Sequence, residues 1–245
     1  MKAMVLAAGL GTRLRPLTND RPKALVEIGG RTLLEVTLQK LREFGIREAI
    51  INVHHFAEMV IEYLRANDFF GMRIEVSRED VLLDTGGGLK KAAGFFLEDE
   101  TETPEPFILH NVDVISNIDL ELMLRFHREH GAVATLAVQR RETSRYLVFD
   151  QNSELCGRRP AQGQAEIIRQ SIGTEELAFS GIHAISPAFL RMMKEEGPFS
   201  IIDSYLRVAR EGQKILGFRA DKYQWRDLGT PRSLKQAEED LQKLA

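Results

Sequence analysis

The sequence predicts an α/β fold: a three-layer, Rossmann-like sandwich with a mostly parallel central sheet and an elaborated second half. Three observations carry that expectation. Short apolar runs alternate with amphipathic stretches of about 10–14 residues, the pattern of strands joined by crossover helices. The first run, residues 3–8, is continuously apolar and ends at Gly9, as a strand buried on both faces should. After residue 140 the rhythm changes to short strands joined by Gly, Asn and Gln turns.

The elements follow in order. After the strand at 3–8, a loop over 9–23 carries Gly9, Gly11, Pro16 and Pro22 with Arg13, Arg15, Arg21 and Lys23. A helix starts at Thr32, with Leu34, Leu38 and Leu41 on one face, and stops at Gly45. A strand at 49–53 leads to a helix at 57–66 whose Met59, Val60, Tyr63 and Leu64 share a face. A strand at 73–76 precedes the loop Leu83-Asp84-Thr85-Gly86-Gly87-Gly88 and a helix through about Leu97. A strand at 106–110 runs into Asn111-Val112-Asp113, followed by a helix at 119–130 and a strand at 132–138. Short strands are then expected at 146–150, 154–157, 166–170 and 178–185. Helices at 187–195, 201–211 and 231–243 bracket a last strand at 214–219. With no Pro/Gly/Ser-rich linker and no repeat, residues 1–245 read as one domain with halves 1–140 and 141–245.

Composition narrows the function. A net charge of −3 and a pI near 6.1 argue against a nucleic-acid partner. A single cysteine, Cys156, excludes an intramolecular disulfide framework or a Cys-rich zinc site and fits a reducing compartment. No apolar stretch approaches the roughly 20 residues a bilayer requires, so no membrane partner and a cytoplasmic location are expected. His54 and His55 lack a third ligand at useful spacing. Ser180 lacks the glycine two places earlier that a nucleophile elbow needs.

The glycine loop at the carboxyl end of the first strand is where the chemistry concentrates, because ligands of open α/β sheets bind at that edge. Glycines let several N–H groups converge on an anion, Arg13 offers a planar fork, and Lys23 a flexible point charge. Leu14 breaks the dinucleotide pattern, and no P-loop run is present. On spacing alone, a turn with solvated arginines is the competing reading. Likewise Asp113 could cap the next helix, and Asp227 could be a surface carboxylate paired with Arg226.

The run Leu6-Ala7-Ala8-Gly9-x-Gly11-Thr12-Arg13-Leu14-x-Pro16-Leu17-Thr18, followed by Arg21-Pro22-Lys23, resembles the signature of sugar-1-phosphate nucleotidyltransferases. Leu83 to Gly88, Asn111-Val112-Asp113, Phe179-Ser180-Gly181-Ile182 and Trp225-Arg226-Asp227-Leu228-Gly229-Thr230 extend the likeness over essentially the whole chain. The resemblance implies Mg²⁺-dependent transfer of a nucleotidyl group from a nucleoside triphosphate to a sugar-1-phosphate, with pyrophosphate released. It makes 1–140 the nucleotide-binding half and 141–245 the sugar-binding half. Ala7, Ala8, Gly9, Gly11 and Thr12 would cradle phosphates, and Arg13 and Lys23 would be catalytic. Thr85, Gly86 and Gly87 would face the base. Asn111, Val112, Ser180 and Gly181 would line the sugar site, and Asp113 and Asp227 would hold the metal. Two departures stand out: Val112 replaces a usual glycine, and the family's Glu-Lys-Pro sugar contacts are missing, leaving Arg145 or Arg158 as replacements. The product implied first is UDP-N-acetylmuramic acid, in cell-wall recycling. GTP with mannose-1-phosphate, a CTP-dependent reaction, and an inactive nucleotide-sugar-binding regulator are the alternatives. Either a monomer or a dimer is compatible with the sequence.

Overall fold

The fold, taken from a computed structural model, is described for residues 1–97 and 105–242. In chain order it begins with β1 (Lys2–Leu6), a hairpin β2 (Glu27–Ile28) and β3 (Arg31–Thr32), α1 (Leu33–Glu43), β4 (Glu48–Val53), α2 (Ala57–Ala66) and β5 (Arg73–Arg78). Next come α3 (Asp84–Lys91), α4 (Ala93–Leu97), β6 (Phe107–Asn111), β7 (Val114–Ser116), α5 (Leu120–Glu129) and β8 (Ala134–Gln139). The second half contributes β9 (Tyr146–Phe149), β10 (Leu155–Arg159), β11 (Glu166–Ile167) and β12 (Glu175–Ile185). It closes with α6 (Pro187–Met192), α7 (Ile201–Arg210), β13 (Ile215–Arg219), β14 (Trp225–Asp227) and α8 (Pro231–Gln242).

Among the described residues the main sheet has ten strands, ordered β11-β10-β9-β12-β6-β1-β4-β5, with β8 also beside β12 and β13 beside β8. The ladders β1–β4, β1–β6, β4–β5 and β8–β13 are parallel. The remaining ladders are antiparallel and all involve β12 or β10, so the other strands of this sheet run in one sense. The carboxyl ends of β1, β6, β8 and β13 therefore share one edge.

Helices cover both faces. Ala3 and Val5 point into a core with Leu34, Leu38 and Leu41 of α1, Val60 of α2 and Met123 of α5. Met4 points the other way, among Leu89, Phe95, Phe189 and Tyr205. This double burial is why the first strand is apolar throughout. Each leucine buried this way contributes about 1.5–3 kcal/mol. Thr32 Oγ1 caps α1 by accepting from Glu35 N–H at 3.0 Å, and Asp119 Oδ1 caps α5 by accepting from Leu122 N–H at 2.9 Å.

Three expectations need correction. The glycine run expected as a loop forms the opening turns of α3. The strand expected at 166–170 covers only Glu166–Ile167, and the helix at 187–195 ends at Met192. The two-stranded β2–β3 and β7–β14 ladders are too short to show a hydrophobic period. The last helix is described to Gln242, and residue 243 lies outside the described residues.

Candidate active site

Past β1, Ala7 and Ala8 are buried while Gly9, Leu10, Thr12 and Arg13 are exposed. Gly11 takes φ 62°, and a Cβ there would lie 3.0 Å from Thr18 Cγ2 and 3.1 Å from Lys23 Cβ, so glycine is required. Thr18 Oγ1 donates to the Gly11 carbonyl at 2.9 Å, and buried Leu14 anchors the loop. The amides of residues 9–13 find no acceptor within the described residues. Unpartnered N–H groups on one exposed loop beside a guanidinium suit an anion. Ala7 departs from its expected role: its N–H donates to Asn52 Oδ1 at 2.8 Å, which makes it scaffold rather than cradle.

Two aspartates stand on paired backbone segments beside this loop. Asp227 lies opposite Val114 in the β7–β14 ladder, and Leu228 N–H donates to the Asp113 carbonyl at 2.8 Å. Lys23 Nζ donates to Asp113 Oδ2, with only 12% and 15% of the two side chains exposed. Arg13 Nη2 stands 3.8 Å from Asp227 Oδ2 in a more open setting. Gly229 N–H donates to Asp227 Oδ1 at 2.5 Å. The capping alternative for Asp113 is removed, since Asp119 caps α5. Asp113 and Asp227 therefore lie together, each facing a cation. No cluster of three or more potential protein ligands occurs among the described residues. Two hard carboxylates on paired segments beside a phosphate-suited loop suit a divalent ion that takes its remaining ligands from phosphate and water.

The remaining predicted residues divide. The Thr85 N–H donates to Asp84 Oδ1 at 2.6 Å and the Gly86 N–H to the Phe199 carbonyl at 2.9 Å. A Cβ on Gly86 would come within 2.2 Å of the Phe199 ring, and one on Gly87 within 2.6 Å of the Gly197 carbonyl. These glycines are small because the segment ahead of α7 packs on them, and their backbone donors are not open for a base. Exposed Asp84, at φ 58°, is what this turn presents to solvent. Val112 is corrected too: its side chain is 4% exposed within the apolar core, so it does not project into a sugar site. The Ser180 hydroxyl is fully buried and reaches only Gln139 Oε1, at 3.4 Å. Gly181, at φ 73°, sits where the β12–β8 register shifts and makes room for Asn111. Arg158 is committed to Glu166 and Asp203. Arg145 is exposed and pairs with none of the other predicted residues.

Sequence reading missed several residues. Arg141, just past β8, lays its guanidinium 3.7 Å from the Trp225 ring centroid, and Trp225 Nε1–H donates to the Ser180 carbonyl at 2.7 Å. Both residues line a cavity of about 1140 Å³ at the same sheet edge. Burial lowers the Arg141 pKa from its ordinary value. His110, next to Asn111, is driven down to about 4 by burial and is neutral at pH 7. Gly229 stood out in sequence only as part of the Trp225 to Thr230 run, yet a Cβ there would lie 2.5 Å from both Arg13 Nη2 and Asp227 Oδ1.

Comparison with known proteins agrees with this geometry. The family model described as Nucleotidyl transferase matches residues 2–243. The chain is 34% identical to an N-acetylmuramate alpha-1-phosphate uridylyltransferase of Caulobacter vibrioides, over 98% of this chain and 96% of that one. It is 31% identical to the mannose-1-phosphate guanyltransferase beta-A of Xenopus laevis, covering 95% of this chain but 62% of that longer protein. Among solved structures, a UDP-glucose pyrophosphorylase complexed with UDP-glucose superposes with a TM-score of 0.79 at 16% identity, covering 100% and 99% of the two chains. HddC from Yersinia pseudotuberculosis gives 0.76 at 20% identity, covering 98% and 99%. These likenesses establish the fold. With the family model spanning nearly all of the chain, the protein belongs to the nucleotidyl transferase family and is a nucleotidyltransferase.

Proposed function

We propose that this enzyme transfers a uridylyl group from UTP to a sugar-1-phosphate, with N-acetylmuramic acid 1-phosphate as the preferred acceptor. The observation that carries the reading is the meeting of Asp113 and Asp227 beside the Gly9 to Arg13 loop. The amides of that loop and Arg13 hold the triphosphate. An acceptor phosphate oxygen then attacks the α-phosphorus in line, forming one P–O bond as the bond to the departing pyrophosphate breaks. Such transfer asks the protein chiefly for positioning and charge neutralisation. Arg13 and Lys23 neutralise charge on the transferring group, and Lys23 is itself oriented by Asp113. Asp113 and Asp227 would hold Mg²⁺, which when bound neutralises phosphate charge. Asn111 and Gly181 border the acceptor, and Arg141 is a better placed cation than Arg145 or Arg158 for its polar groups.

Near-complete mutual coverage with the Caulobacter uridylyltransferase, against 62% of the longer guanylyltransferase, supports the uridylyl reading. A role in cytoplasmic cell-wall recycling would follow from that acceptor. Pyrophosphate release should be measured for UTP, GTP, CTP and dTTP against N-acetylmuramic acid, mannose and glucose 1-phosphates. The reading expects the first of each series to give the highest kcat/KM. A preference for GTP and mannose-1-phosphate would replace it with the guanylyl alternative, and inactivity with every pair would favour a binding-only regulator.

A further inference from the structure

A buried polar chain joins the two sides of the nucleotide site. Asn52, near the end of β4, and Glu79, just past β5, are each 2% exposed. Ala7 N–H donates to Asn52 Oδ1 at 2.8 Å, Asn52 Nδ2–H donates to Glu79 Oε1 at 2.7 Å, and Leu83 N–H donates to Glu79 Oε2 at 2.9 Å. Ala7 opens the phosphate loop, and Leu83 is the residue before α3. Glu79 is itself clamped to β4: its N–H donates to the Val53 carbonyl at 2.8 Å, and its carbonyl lies 2.8 Å from His54 Nδ1. Among the described residues no Lys or Arg forms an ion pair with this carboxylate.

The direction of every bond in the chain is forced. The Ala7 and Leu83 amides can only donate, so the Asn52 oxygen must face Ala7 and its NH₂ must face Glu79. Glu79 then meets two donors, and only a group with two accepting oxygens satisfies both. A glutamine there would turn its own NH₂ toward one of them. Gly88 belongs to the same arrangement, since a Cβ would fall 2.8 Å from both Asn52 Nδ2 and Glu79 Oε1. The third glycine of the run thus lets α3 close over the chain.

We propose that Asn52 and Glu79 are positioning residues that hold the phosphate loop and the turn opening α3 at one fixed separation. The proposal rests on the reading that the loop holds the triphosphate and that the α3 turn borders the same nucleotide through its exposed face, not through its occupied glycine amides. A nucleoside triphosphate then meets a spacing set before it binds, which lowers the ordering cost of binding.

Forced polarity supplies the test. In Glu79→Gln alone one junction places donor against donor, and in Asn52→Asp alone it places two carboxylates against each other, which only an added proton could bridge. In the double variant N52D/E79Q every bond can be remade. The carboxylate introduced on β4 accepts from Ala7 N–H and from the NH₂ of the amide introduced after β5, and the oxygen of that amide accepts from Leu83 N–H. Four proteins should be compared by steady-state kinetics and by amide hydrogen exchange at Ala7 and Leu83. Each single variant should raise the UTP KM roughly tenfold or more, since a mispaired buried group weakens both ends of the chain. The sugar-1-phosphate KM should stay within about twofold, and exchange at both amides should quicken. The double variant should restore protection and bring the UTP KM back to within about threefold of wild type.

Single variants that lose stability with an unchanged UTP KM would make the pair merely structural. A double variant no better than the singles, whether inactive or unfolded, would overturn the forced polarity. If the singles do not fold, a folded double with near-native UTP KM supports the proposal. If the wild type turns over no substrate pair, the functional reading fails separately, and exchange at Ala7 and Leu83 still decides whether the chain fixes the two segments.

Discussion

Replacing Gly229 by alanine tests the site with very little change elsewhere. Alanine keeps the amide that donates to Asp227 Oδ1, and the position is not in the left-handed region, so no backbone strain is added. The new methyl would lie 2.5 Å from Arg13 Nη2 and from Asp227 Oδ1, about 0.9 Å inside the 3.4 Å onset of ordinary contact. Both neighbours are the mobile ends of partly exposed side chains, so they move aside and stability changes by less than about 0.5 kcal/mol. Movement of that size at a reacting centre can cost about 100-fold in rate. Gly229→Ala should therefore lower kcat/KM for pyrophosphate release by about 10- to 100-fold while the Tm stays within a few degrees. Unchanged kcat/KM would refute the claim that Arg13 and Asp227 act at the transferring phosphate. An equal collapse of Tm and activity would show that Gly229 matters for folding instead.

Three further outcomes follow from the same contacts. Lys23→Ala and Asp113→Ala each strand a largely buried charge, so urea unfolding should show losses of about 3–5 kcal/mol, with the double variant losing less than the sum. Additive losses would mean that the pair is not coupled. Val112→Gly should lower stability by about 2–4 kcal/mol through a cavity and a more flexible chain, and the ranking of sugar-1-phosphates should not move. A broadened acceptor range would return that side chain to the sugar site. Burial depresses His110 and His127 to about 4 and His183 to about 3, below the ordinary 6.5. Their unfolded forms take up protons first, so stability is intact above about pH 6.5 and falls toward pH 4. The slope approaches about 1.4 kcal/mol per pH unit for each histidine. Denaturation midpoints that are flat between pH 7 and 5 would contradict this.

The alternating half of the chain was legible because helices and parallel strands repeat over lengths that reveal their period. Helix α2 falls at the predicted residues 57–66. The loop past β1 stood out as a candidate site because Gly9, Gly11, Arg13 and Lys23 fall within fifteen positions of one another. What escaped the sequence is pairwise and long-range. Asn52 and Glu79 are ordinary polar residues until the topology stacks β4 against β5 and brings α3 over both. Val112 was misread because its side chain turns into the apolar core while its neighbour Asp113 pairs with Lys23, an alternation the sequence does not display. The glycines after Thr85 looked like a base-reading loop, but Phe199, more than a hundred positions later, is what requires them to be small.

The central claim is that chemistry occurs where Asp113 and Asp227 meet beside the phosphate loop. Asp227→Asn tests it most directly, because the amide keeps the shape of the side chain and removes its charge. Turnover of UTP and sugar-1-phosphate should be measured across a Mg²⁺ titration, together with the Tm. The account predicts a folded protein, with a Tm within a few degrees of wild type, whose kcat is at least about 100-fold lower at every Mg²⁺ concentration. Wild-type turnover at roughly 1 mM Mg²⁺, the weak end of ordinary metal affinities, would remove Asp227 from the reacting centre and contradict the account.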